Sequence, residues 1–201
     1  ILALTGDPAN MSDQPNSKGV FEANSLMLLK MIKSFNYGMD FAGRPFKIEP
    51  KQIFPFAVVN AYAKNFGSLE KKMHLKIQNG AVGVITQPVF DIENVKKLLE
   101  NFENAKENVE GDKRKAQLIF GVFPITKLRT ALFLSAQVPG IHVPQFWIDE
   151  LEKAHNISEE EEYKVGMQLS KNLFDEINRI HPKIHLMTAN NKFEVASEIL
   201  A

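Results

Sequence analysis

The residues of this chain best suited to chemistry are the acids, amides and hydroxyls that follow its short apolar runs. Ile1 to Leu4 leads into Thr5-Gly6-Asp7-Pro8, Phe54 to Val59 into Asn60, and Ala81 to Thr86 into Gln87. Leu118 to Val122 leads into Phe123-Pro124 and then Thr126, and the run from Ile184 ends at Thr188-Ala189-Asn190. One carboxylate, a few amides and hydroxyls, and few cations suit a hydrogen-bonding pocket for a polar heterocycle. The same residue types also end strands and cap helices, so position alone does not separate the two roles. Five histidines, His74, His142, His155, His181 and His185, show no metal-ligand spacing, and His185 reads as a packed or barrel-lining residue. Glu159 to Glu162 reads as a solvated acidic helix start, favoured by the dipole. Lys76 reads as a snorkelling lysine that can also reach a phosphate. The fifteen phenylalanines are expected mostly in the core, with Phe21, after a polar loop, available to line a ring.

The elements that must position these residues alternate. Phe21, Ser25, Leu28, Leu29 and Ile32 recur at helical spacing, as do Leu69, Met73, Lys76 and Ile77, a helix closed by Asn79-Gly80. Ile92, Val95, Leu98, Leu99 and Phe102 mark a third helix, followed by a charged loop through Lys115. Leu128 to Leu134, Phe146 to Leu151, a helix opened by the capping box Ser158 and Glu161 and ended by Pro182, and Phe193 to Leu200 complete the set. Five apolar strands separated by helices predict an α/β domain with a parallel sheet covered on both faces. A doubly wound sheet and a β/α barrel both fit, and the missing G-x-G-x-x-G after the first strand weakens the dinucleotide-fold version. In a barrel, the strand-end residues above would share the C-terminal face, where such folds keep their active sites.

Composition narrows the class. With 44 % hydrophobic and 24 % charged residues, the chain is ordinary globular protein rather than disordered. Basic and acidic residues balance at 24 each, which gives no electrostatic reason for a nucleic-acid or anionic-membrane partner. The absence of cysteine excludes a thiolate metal site, a thiol nucleophile or a disulfide scaffold in this chain. No apolar run reaches the ~18–20 residues of a spanning helix.

Six segments, in register along the chain, resemble the methylenetetrahydrofolate reductase family. They are Leu2-Ala3-Leu4-Thr5-Gly6-Asp7-Pro8, Gly19-Val20-Phe21-Glu22, Leu75-Lys76 with Asn79-Gly80-Ala81, Val84-Ile85-Thr86-Gln87-Pro88-Val89-Phe90-Asp91, Gly121 to Thr126, and Val138 to Pro144. The wording is most similar to the bacterial subtype fused behind a homocysteine S-methyltransferase domain. The resemblance implies a TIM (β/α)8 barrel that binds FAD and passes hydride from NADH or NADPH to methylenetetrahydrofolate, giving methyltetrahydrofolate. It implies a cytoplasmic enzyme of one-carbon and methionine metabolism and a homo-oligomer, with an upstream methyltransferase domain as a further expectation.

Residue by residue, the resemblance makes Asp7 the catalytic carboxylate near flavin and pterin, and Gln87 the folate-ring contact. Thr5, Gly6, Asp7, Phe21, Glu22 and Asn60 match positions around FAD, and Lys76 matches a lysine at its phosphates. Thr130, Leu134 and Asn191 stand where a glutamine, a phenylalanine and an arginine of the folate side are common. Thr5 stands for an arginine, and Val59-Asn60-Ala61 shows no clear counterpart of the family's tyrosine and histidine. The family barrel also begins three strands earlier, with its glutamate general acid on the first of them. A closed barrel needs ~250 residues, so residues 1–201 are expected to be its last five β/α units, inactive alone. A barrel that keeps a flavin or pterin without reductase chemistry, and a pterin-binding methyltransferase, are the alternatives.

Overall fold

The computed structural model describes residues 1–5, 23–107, 109, 111, 115–189 and 192–201. Its five strands are β1 (Leu2–Ala3), β2 (Phe56–Val59), β3 (Gly83–Pro88), β4 (Gln117–Val122) and β5 (Ile184–Leu186). All neighbours pair in parallel, in the order β1-β2-β3-β4-β5. The order runs one way with no switch point, which removes the doubly wound alternative and matches the wall of a β/α barrel. Right-handed crossovers moving steadily in one direction put every helix on the same face. The expectation of two covered faces is therefore corrected to one.

The helices are α1 (Ser25–Asn36), α2 (Phe66–Gln78), α3 (Ile92–Glu107), α4 (Leu128–Gln137), α5 (Gln145–His155), α6 (Glu159–Ile180) and α7 (Phe193–Leu200). Local chemistry sets their ends. Asn24 and Asn65 accept from the amides of Met27 and Ser68, Asp91 accepts from Asn94, and Ser158 accepts from Glu161 as the capping box requires. Asn79 caps α2, and Gly80 turns the chain away at φ +101. The helix-facing side of the sheet is sealed by Val59, Val84, Leu118, Phe120 and Val122 against Leu69, Met73, Ile77, Leu98 and Phe102.

Alternate strand residues, among them Phe56, Ile85, Gln87, Ile119 and His185, point to the other face. Space there is tight at the glycines: a Cβ on Gly83 would lie 2.6 Å from the Phe56 ring. His185 is exposed on this face rather than packed. Among the described phenylalanines, Phe90, Phe102 and Phe120 are fully buried, but Phe41, Phe54, Phe133, Phe146 and Phe193 are largely exposed. Their positions lie on connections and on helix faces turned away from the sheet, so the core expectation holds only in part.

Candidate functional site

The site grows from a defect in β3. Its register with β4 shifts between Ile85 and Pro88, because Pro88 has no N–H to give the ladder. The buried Thr86 hydroxyl accepts from the Gly121 N–H at 2.9 Å and repairs the ladder at that point. Gly121 is required by contact: a Cβ there would lie 2.5 Å from the Thr86 carbonyl and 3.1 Å from the Gln87 backbone. The strand therefore continues through Gln87 instead of ending before it, with Gln87 turned to the sheet face opposite the helices.

Gln87 Nε2 donates to the Pro139 carbonyl at 3.2 Å, and its Oε1 is buried with no hydrogen-bond partner. Gly140, at φ +81, packs over it; a Cβ there would lie 2.5 Å from Asn60 Nδ2 and 2.7 Å from Gln87 Oε1. Asn60 and Gln87 thus meet beneath one turn. Asn60 Oδ1 also accepts from the Tyr62 amide. The Tyr62 hydroxyl accepts from the Phe90 N–H at 2.7 Å and donates to Asp91 at 3.1 Å, while its ring meets His142 edge-on at 5.5 Å. Burial, and then the Asp91 charge, push the Tyr62 phenol well above its ordinary pKa. Trp147 completes the frame by donating to the Phe90 carbonyl at 3.1 Å.

Lys76 does not snorkel outward. Its ammonium donates to the Val58 carbonyl inside the β2 wall. Burial, and then the Lys72 charge, hold its pKa below the ordinary lysine value. It lines a cleft of about 360 Å³ with Lys64, Lys72, Asn60, Asn65 and Ser68, and no carboxylate is among the described lining residues. Three ammoniums around a cleft whose described lining has no counter-charge give it a net positive potential that favours an anion. Lys64 and Lys72 were missed from sequence; the available signal was that Lys72 stands one helical turn, four residues, before Lys76, whereas Lys64 lies ahead of the N-cap of α2, where no helical spacing links it to the others.

The remaining predicted residues are separate. The Thr5 hydroxyl accepts from the Ser25 amide at 2.9 Å and so anchors the start of α1. Thr130 lines a recess between the ends of β4 and β5. Gly6, Asp7, Phe21, Glu22 and Asn191 lie outside the described residues. The acidic run is corrected at one position: Glu162 is buried, where its carboxylate accepts from the Leu128 N–H at 2.7 Å and caps α4. Tyr62 and His142 also escaped the sequence reading, since only the fold places their rings together. Among the described residues, no cluster could hold a metal ion and no helix is long and apolar enough to cross a membrane.

The sequence pattern of the methylenetetrahydrofolate reductase family matches residues 1–201. The chain belongs to that family. Curated proteins give no significant match. Among solved structures, an uncharacterized protein from Clostridium thermocellum, which binds two copies of 5-methyl-5,6,7,8-tetrahydrofolic acid, is similar at a TM-score of 0.54 and 20 % identity. The match covers 76 % of this chain and 53 % of that one, so the chain aligns with about half of its neighbour's length. At that identity the likeness concerns the fold.

Proposed function

We propose that this chain is the FAD- and folate-binding part of a methylenetetrahydrofolate reductase barrel, which reduces 5,10-methylenetetrahydrofolate to 5-methyltetrahydrofolate with NADH or NADPH. The observation that carries the reading is the half-buried Lys76 ammonium, held with Lys64 and Lys72 in a cleft whose described lining has no counter-charge. Such a cleft favours an anion because a bound diphosphate would relieve both the desolvation and the mutual repulsion of the lysines.

FAD, when bound, supplies the hydride relay between nicotinamide and folate. Lys64, Lys72 and Lys76 would hold its diphosphate, with Asn60 and Asn65 as uncharged partners. Gln87 supplies the ring contact: its orphaned Oε1 accepts one hydrogen bond that the protein itself leaves unmade. Asp7 is assigned the carboxylate that stabilises the cationic iminium form of the folate. Gly6, Phe21 and Glu22 are assigned to the flavin, and Thr130 and Asn191 to the folate. Tyr62, Asp91 and Trp147 position the loop bearing Asn60 and take no part in bond making.

A titration of FAD into the purified chain, read by quenching of flavin fluorescence, tests the reading. Saturable quenching in the chain, weakened about tenfold or more in Lys76→Met, is expected. Unquenched flavin would overturn it. A folate-binding barrel without reductase chemistry is the second reading, favoured by Thr130, a short hydroxyl on the folate side. Folate-dependent NAD(P)H oxidation by the protein would eliminate it.

A further inference from the structure

A recess of about 450 Å³ opens at the end of the sheet opposite Asn60 and Gln87. The ends of α1 and α2 and the residues leading into β3 and β4 enclose it, with Ile77, Ala81, Val82 and Ala116 as an apolar floor. Short side chains leave the room: Gly80 turns at φ +101, and Ala81 and Ala116 add one methyl each. The amides on the wall are already engaged. Asn36 exchanges two hydrogen bonds of 2.8 Å with the Ile53 backbone, and Gln52 Nε2 donates to the Asn36 carbonyl. The Leu75 and Ile77 carbonyls that end α2 accept from the Asn79 and Gly80 amides. What the wall leaves over is mainly donor. The half-buried Lys33 ammonium reaches the Gln78 carbonyl at 3.5 Å and forms no ion pair among the described residues. Lys115 adds a second ammonium, and no carboxylate is among the described lining residues. Gln78 itself keeps a buried Oε1 without a partner, so the protein alone does not satisfy the polar groups of this corner.

We infer that this recess binds a small organic anion, a single carboxylate on an aromatic or branched apolar body. Its volume lies within the ~300–1,000 Å³ of small-molecule pockets. The floor takes the apolar body by burial, and the partly desolvated Lys33 ammonium takes the carboxylate through a charge-assisted hydrogen bond. Tyr37, exposed at the rim, offers a ring for the body to pack on. A sugar or nucleoside fits poorly, because its hydroxyls would face amides and carbonyls that are already bonded. A cation would meet Lys33 and Lys115. The site requires neither flavin nor folate. Strand β3 runs from Gly83 to Pro88, which sets Val82 about 16 Å from Gln87 along the strand. An acid bound here leaves Gln87 open, which suits an effector or a stabilising ligand rather than a substrate.

The isotope-labelled chain titrated with 3-phenylpropionate, read by NMR at the amides of Tyr37, Gly80 and Val82, tests the site. Saturating shifts are expected there, with the amides of Asn60 and Gln87 unmoved. The uncharged isostere 3-phenylpropanol should bind about tenfold or more weakly, and the acid should lose as much in Lys33→Met. Acetate, which has the charge without the body, should not saturate. Val82→Glu, which sets a carboxylate on the floor, should abolish binding of the acid. Amides that do not move, shifts confined to Asn60 and Gln87, or acetate as tight as the acid would overturn the inference. Equal affinity for acid and alcohol, or a titration that Lys33→Met leaves unchanged, would overturn it as well. The alcohol and acetate comparisons use the unaltered chain, so they decide the matter even where a variant fails to fold.

Discussion

Lys76 carries opposing demands, and they make it the most informative single residue to change. A lysine whose pKa is held down in the fold begins to lose its proton, in the alkaline window below 10.5, while the unfolded chain still keeps it. The unfolded chain binds more protons there, so ligand-free stability should rise as the pH climbs toward 10.5. Denaturant titrations across that range should show the Lys76 contribution to the rise, and Lys76→Met should lack it. Flavin affinity should move the opposite way, falling as the ammonium deprotonates; an affinity flat across the same range would contradict a direct ammonium–phosphate contact. At Gln87 the expectation concerns the folate. Gln87→Met should weaken folate binding by roughly 1–3 kcal/mol, because the donor to Pro139 and the orphaned acceptor are lost together, while FAD quenching stays intact. Asp7→Asn should lower folate reduction far more than flavin binding, and equal loss of both would contradict its assigned role.

At the scale of elements, the irregular pairing of β3 with β4 is what delivers Gln87 to its face. Thr86→Val keeps the shape but leaves the buried Gly121 N–H without its acceptor, a cost of about 1–3 kcal/mol. For a domain of this size that corresponds to a fall in melting temperature of roughly 2–12 °C, measurable by calorimetry. Gly121→Ala should be worse, since its new methyl meets backbone, which cannot yield as a side-chain tip can. The same logic explains how α6 reaches the loop after β4. Gly166 lets the helix touch the Ile125 carbonyl, where a Cβ would lie 2.4 Å away, and Ser170 accepts from the Ile125 N–H. The loop that bears Thr126 is thereby tied to a 22-residue helix.

Over the whole molecule, the cationic cleft beside β2 and the recess between β4 and β5 stand at different strand ends. Filling the cleft should stabilise the entire fold by mass action. At FAD a hundredfold above its dissociation constant the gain is about 2.7 kcal/mol, or roughly 5–10 °C in melting temperature. A thermal scan with and without FAD checks this, and Lys76→Met should abolish the shift. The alternation of strands and helices, the capping box at Ser158 and the close of α2 at Asn79-Gly80 were legible in the sequence, because each depends on contacts within a few residues. The bounds of α7 were legible for the same reason. The length of β3 was misjudged because Gln87 and Pro88 look like strand breakers until Thr86 and Gly121 repair the ladder.

By itself the sequence determined the α/β alternation, the strand ends that carry Asn60, Gln87 and Thr126, and the six ordered segments that mark the family. Those properties live in period, turn chemistry and local wording, which act over a dozen residues or fewer. Only the tertiary structure decided that Gln87 meets Pro139 across 52 positions, that Tyr62 faces His142, and that Lys64 and Lys72 join Lys76 around one cleft. It also brought Lys127 and Lys192 to one recess, at two helix starts where neither lysine can serve as a cap. Such meetings depend on strand order, register and the hand of each crossover, which place loops from distant parts of the chain side by side and leave no periodic trace in the sequence.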